Sequence, residues 1–241
     1  MNPILKSVAL LATALLLSAA QAGTTLQLRD LNNDGTIDAF YDVDMDITWL
    51  ADASLSASNR FGLPLASDNF GHEGEVNPSG TMTWATAQSW IGAMNSDAYL
   101  GFSDWRLPTV SYPDSSCSAL SGGHNCLGSE MGHLYYGELG GVANVDLNIT
   151  HNSNLYLVRN IQGNMYWTGT GFTQAPETPN DNAWTFQFMG GVQQTLAVEN
   201  FAAVWAVRDG DVLSHVPEPG TNALMLAGLC LVGFSRRRKF A

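Results

Sequence analysis

The stretch from Thr83 to Asn95 has apolar residues at Trp84, Ala87, Trp90, Ile91 and Met94. Spacings of three and four predict one buried helix face, and Thr83 is placed to cap the helix. A second, shorter helix is predicted over Ser129–Leu139, with Ser129 as its cap and Met131, Leu134, Tyr135 and Leu139 as its stripe. Elsewhere the pattern is strand-like. Ala39–Val43, Asp46–Leu50, Leu155–Val158, Met165–Thr168, Ala183–Phe188, Val192–Leu196 and Ala202–Val207 alternate apolar and polar residues or run briefly apolar. Gly190-Gly191 predicts a hairpin between two of these strands. Stretches rich in Ser, Asn, Gly and Pro at 51–80 and 169–182 predict long loops. The pattern describes an α+β domain with two helices and a small, mostly antiparallel sheet.

The ends of the chain read differently. Met1–Ala22 has a basic start at Lys6, an apolar run from Val8 to Leu17, and Ala20-Gln21-Ala22 at its close. That order predicts a signal peptide, cut by signal peptidase before Gly23. Residues 213–241 hold Val216-Pro217-Glu218-Pro219, an apolar stretch from Ala223 to Phe234, and Arg236-Arg237-Arg238-Lys239. The apolar stretch predicts a short transmembrane helix in the inner membrane, with the basic cluster on the cytoplasmic side. Residues 23–212 between them suffice for one domain with a single core.

Charge narrows the partners. The whole chain carries a formal −12. The stretch 23–219 has five arginines, no lysine and all 22 acidic residues, a formal −17. Such a surface repels phosphate backbones, which argues against nucleic acid as a partner. It suits either cation binding or a plain solvated face.

Several local clusters could carry chemistry. Asp30, Asn32, Asp34, Thr36 and Asp38 lie at alternate positions with Gly35 sixth, the first part of a calcium loop. The twelfth position is Tyr41 instead of a bidentate Glu. The choice is between a Ca²⁺ site and an Asx-rich turn without an ion. His72, Glu73 and Glu75 offer a second, weaker cation site or a solvated acidic turn. Gly101–Thr109 sets Asp104, Trp105, Arg106 and Pro108 side by side. Trp105 should be buried and Pro108 should bar a helix. Asp104 and Arg106 should share the opposite face and need an ion pair or backbone partners. Together these residues read as a structural knot in preference to a catalytic group. Glu130 and His133, three apart on the second helix, read as a surface pair or a metal- or proton-handling pair. Cys117 and Cys126 sit in one Ser/Gly-rich loop, and in an exported chain read first as a disulfide, with a metal site or reactive thiol as the alternatives. Trp167, Glu177, Asn180 and Asp181 form a polar and aromatic set suited to a sugar or calcium.

The tail, with Pro217-Glu218-Pro219, the apolar stretch and the terminal basic cluster, resembles the PEP-CTERM sorting signal of Gram-negative bacteria. That resemblance implies recognition by an exosortase, then release or anchoring at the cell surface, often among extracellular polysaccharide. The middle resembles the Lcl C-terminal-like family of exported domains. It does so through Ile47-Thr48-Trp49-Leu50, Met82-Thr83-Trp84, Gly101–Thr109, Ser129-Glu130-Met131-Gly132-His133-Leu134, Tyr166-Trp167-Thr168 and Val204–Arg208. The resemblance implies a fold related to C-type lectins and the formylglycine-generating enzyme. The enzyme branch holds copper on a cysteine pair near its closing strands, and the cysteines here lie elsewhere. The expectation is therefore a non-enzymatic surface module that binds a ligand, such as extracellular polysaccharide. The rival is a matrix or envelope protein without a specific ligand.

Overall fold

A computed structural model describes residues 25–68, 71–119, 122–172 and 181–212. The predicted signal peptide, Pro217-Glu218-Pro219, the predicted transmembrane helix, Glu177 and Asn180 lie outside these residues.

The domain is α+β, with two antiparallel sheets in place of the one expected. In chain order come β1 (Leu26–Arg29), β2 (Ala39–Asp42), β3 (Ile47–Leu50), α1 (Leu55–Ser58) and α2 (Trp84–Ser96). Then come α3 (Glu130–Gly132), a π-helical turn (His133–Glu138), β4 (Met165–Gly171), β5 (Asn182–Gln187), β6 (Val192–Ala197) and β7 (Val207–Asp209). One sheet runs β1-β2-β3-β7 and the other β4-β5-β6.

The first sheet begins as two antiparallel pairs, β1 with β2 across the 30–38 loop and β2 with β3 across a tight turn. Between β2 and β3, the Asp42 carboxylate accepts the amides of Asp44 and Met45, and Asp46 takes a positive φ of 53°. Asp tolerates that conformation better than most residues. The register sets Phe40 opposite Trp49. Both rings are fully buried and meet Trp205 edge-on. Burying an aromatic side chain of this size stabilises by about 1.5–3 kcal/mol. The Trp205 indole still needs an acceptor and donates to Leu50 O at 2.7 Å.

Helix α2 forms where the spacing predicts. Thr83 accepts the Thr86 amide at its start. Ala87, Trp90, Ile91 and Met94 are buried, and Trp84 is half-buried with its indole donating to Thr168 O. The helix stops where Ala98 turns into the left-handed region at φ 47°.

Three predicted elements differ. Leu155–Val158 is a 3-10 helix (Ser153–Leu157), because the Asn152 side chain accepts the Asn154 amide and starts a helical turn. Ala202–Val207 is a strand only from Val207 onward. Its earlier residues divide their backbone bonds among elements: Ala202 with Met82, Ala203 with Met165 and Trp167, Ala206 with Leu50. The segment thus joins the two sheets as a spine and belongs to neither. Ser129 does not cap α3 through its side chain; its hydroxyl accepts the Ser111 amide instead.

Candidate functional site

The 101–109 stretch folds as a knot. Trp105 is buried, and its backbone is clasped by the Asn95 side chain, which accepts from Trp105 N and donates to Trp105 O. Asp104 and Arg106 point away from that ring, yet each finds a distant partner. Asp104 accepts from Arg208 at 2.9 and 3.0 Å. Arg106 donates to Glu130 at 2.8 and 2.9 Å and to Asp209 at 2.5 and 3.0 Å. Burial works against the Arg106 charge, but Glu130 and Asp209 outweigh it and hold the guanidinium more firmly protonated than usual. Glu130 also accepts the Thr109 amide at 2.7 Å. Pro108 follows in non-helical backbone. Asp104, Arg106 and Glu130 are thus all engaged in ion pairs that hold the stretch to β7 and α3.

The surface-pair reading of Glu130 and His133 is therefore corrected. Glu130 is buried and taken by Arg106, while His133 turns to the other side. There its Nε2 lies 3.5 Å from Glu138 and 3.9 Å from Asp42. Asp42 is fully buried and Glu138 nearly so. Burial pushes the Asp42 carboxyl up to about 6, with the Glu138 charge adding to the rise, while backbone amides and His133 oppose it. Thr25 donates its hydroxyl to Glu138. Sequence reasoning missed this cluster. Its one signal was Asp42 itself, a carboxylate on the same strand face as Phe40.

At the 30–38 loop, Asp30 accepts the amides of Asp34 and Gly35, and Asp38 accepts that of Leu31. Asp34 accepts the Thr36 amide at 2.7 Å, and that bond holds its carboxyl below the usual range. Asn32 closes on Asp34 with both its oxygen and its nitrogen. Gly35 supplies the φ of 87° that the turn requires. The side chains of the loop close on its own amides, with Thr36 and Asp38 at its end. His72, Glu73 and Glu75 form an exposed or half-exposed turn closed by Glu75 on the His72 amide.

Cys117 and Cys126 form a disulfide. Their loop docks on β6 through paired bonds between Gly123 and Gln193, both 2.8 Å. Beside it lies a shallow hollow of about 290 Å³, lined in part by Phe172, Trp184, Gln193, Gln194 and Thr195. Tyr112, 53 % exposed, packs against two of its lining rings, 6.3 Å from Phe172 and 5.7 Å from Trp184. Gln193 is buried, and its Oε1 accepts no hydrogen bond among the described residues. Of the predicted ligand-loop set, Asp181 is exposed near β5. Trp167 is fully buried with its indole on Met82 O, so it supports this region from beneath.

The stretch from 38 to 208, which holds the 101–109 knot, matches a known family. Residues 38–208 match the Lcl C-terminal domain, and the chain belongs to that family. Residues 215–239 match the PEP-CTERM protein-sorting motif, which marks an exported, extracytoplasmic protein processed by an exosortase. No curated protein matches the chain.

Proposed function

We propose that the domain is a non-enzymatic, C-type-lectin-like module that binds extracellular polysaccharide in the hollow beside Tyr112. Tyr112 carries the reading. An exposed ring set against Phe172 and Trp184 offers a stacking face for a sugar ring. Gln193, which lines the hollow, holds an Oε1 without a donor among the described residues, and a sugar hydroxyl supplies one in this reading. The polar lining of Gln193, Gln194 and Thr195 hydrogen-bonds without changing charge near neutral pH, which suits binding over proton transfer. Glu177, Asn180 and Asp181 follow Phe172 in the chain and are further ligand residues in this reading. Exosortase processing then leaves the module among the polysaccharide it recognises.

The test is a pull-down of the protein on polysaccharide from the producing cells, with wild type compared against Tyr112→Ala at matched folding. Retention that falls at least several-fold in Y112A supports the reading. Absence of retention for wild type leaves the matrix or envelope role in its place.

The same reading seats Ca²⁺ at Asp30, Asn32, Asp34, Thr36 and Asp38. Melting in Ca²⁺ should then exceed melting in EDTA, and Asp34→Ala should remove the difference. Identical melting curves for wild type would rule it out.

A further inference from the structure

Asp42, His133 and Glu138 come together from far apart in the chain. Asp42 ends β2, and the other two bracket the π-helical turn. On an α-helix, residues five apart sit about 140° apart around the axis. The wider turn, closed by Leu139 N on Leu134 O at 2.8 Å, swings His133 and Glu138 toward one side. Single π turns within helices occur mostly at functional sites.

The cluster is unsatisfied as it stands. Asp42 is fully buried; its Oδ1 accepts two backbone amides, but Oδ2 has no hydrogen-bond partner among the described residues. His133 Nε2 is likewise buried without one. One donor atom from each of the three residues lies within 4.8 Å of the others. The His133 Nε2 separations, 3.5 Å to Glu138 and 3.9 Å to Asp42, exceed a hydrogen bond. They are near the spacing of about 3.3 Å between ligands around a tetrahedral ion with bonds of about 2.0 Å. Two buried carboxylates facing each other also need a positive charge between them.

We propose that Asp42, His133 and Glu138 form a site for one divalent transition-metal ion of the Zn²⁺ type. An imidazole nitrogen with two carboxylates is a ligand set for Zn²⁺, whereas Ca²⁺ takes oxygen alone. Three protein ligands leave one position open, and the His133 side chain, 18 % exposed, marks the solvent side. The ion pins the end of β2 to the π turn, and the Thr25 hydroxyl orients Glu138 from behind. The site is separate from the hollow beside Tyr112 and does not depend on what binds there.

The test uses the full-length chain in detergent, stripped with a chelator and dialysed against Zn²⁺, Co²⁺ or Ca²⁺. About one Zn²⁺ should remain per chain, with a rise in melting temperature that Ca²⁺ does not reproduce in Asp34→Ala protein. Co²⁺ should give visible ligand-field absorption. His133→Gln and Asp42→Asn should each lose the retained metal and the absorption while keeping the far- and near-ultraviolet dichroism of the stripped wild type. D42N removes a buried charge, so it should fold even if H133Q does not. Wild type without retained Zn²⁺, or a folded D42N that retains it as wild type does, overturns the site.

Discussion

Arg106 and Glu130 meet as a fork, both terminal nitrogens of one on both carboxylate oxygens of the other, at 2.8 and 2.9 Å. Glu130 is buried and Arg106 mostly so. Removing Arg106 strands the buried Glu130 carboxylate, whereas removing Glu130 leaves Arg106 with Asp209. Arg106→Ala should cost about 3–5 kcal/mol, and Arg106→Lys, which keeps charge but loses the fork, should cost less. Urea unfolding of both variants checks this. An Arg106→Lys variant as stable as wild type would mean that the fork geometry contributes nothing.

Gly132 lies directly beneath the Cys126 carbonyl, so that an added Cβ would overlap it. Gly132→Ala must push α3 away from the disulfide loop and should destabilise by about 1–3 kcal/mol. A thermal melt within a degree of wild type would contradict the packing described.

The disulfide closes a loop that docks on β6 at Gln193, in the floor of the hollow. Replacing Cys117 and Cys126 together by Ser should cost about 2–3 kcal/mol through the freed loop. If polysaccharide binds beside Tyr112, retention in the pull-down should weaken as well. Retention unchanged in the double variant would place the ligand elsewhere.

Alkali should expose the buried tyrosines. Burial pushes the Tyr135 hydroxyl up to about 12, and Tyr166 rises for the same reason. Unfolded tyrosine ionises near 10. The folded state therefore holds protons that the unfolded chain releases. Stability is intact below pH 10 and falls as pH climbs through 12, by at most about 1.4 kcal/mol per pH unit for each group. Tyr135→Phe should flatten that slope in denaturant melts between pH 10 and 12. An unchanged slope would show that Tyr135 is not the group titrating.

What the sequence revealed was local. Thr83 and the apolar stripe behind it marked α2, and the alternation around Phe40 and Trp49 marked β2 and β3. Trp105 announced its burial by its neighbours. What stayed hidden depends on partners distant in sequence. Arg106 had Glu130 and Asp209 to choose from only after folding, 24 and 103 residues away. Asp42 could be read as a strand residue, but its meeting with His133 required a π turn that no spacing rule announces. The stretch from Ala202 to Ala206 has a strand's composition, yet two sheets compete for its amides.

The order β1-β2-β3-β7 sets a timetable. β7 pairs with β3 and receives Arg106 by a bridge at Val207, so the sheet begun at Leu26 is completed at Asp209. Contacts of such long sequence separation are closed late and slowly. A chain that crosses a membrane from its N-terminus onward cannot seal this sheet until almost its whole domain has emerged. Its first two hairpins wait, unclosed at one edge, for the residues that lie just ahead of the sorting tail. The topology thus places the strand that completes the sheet just ahead of the sorting motif.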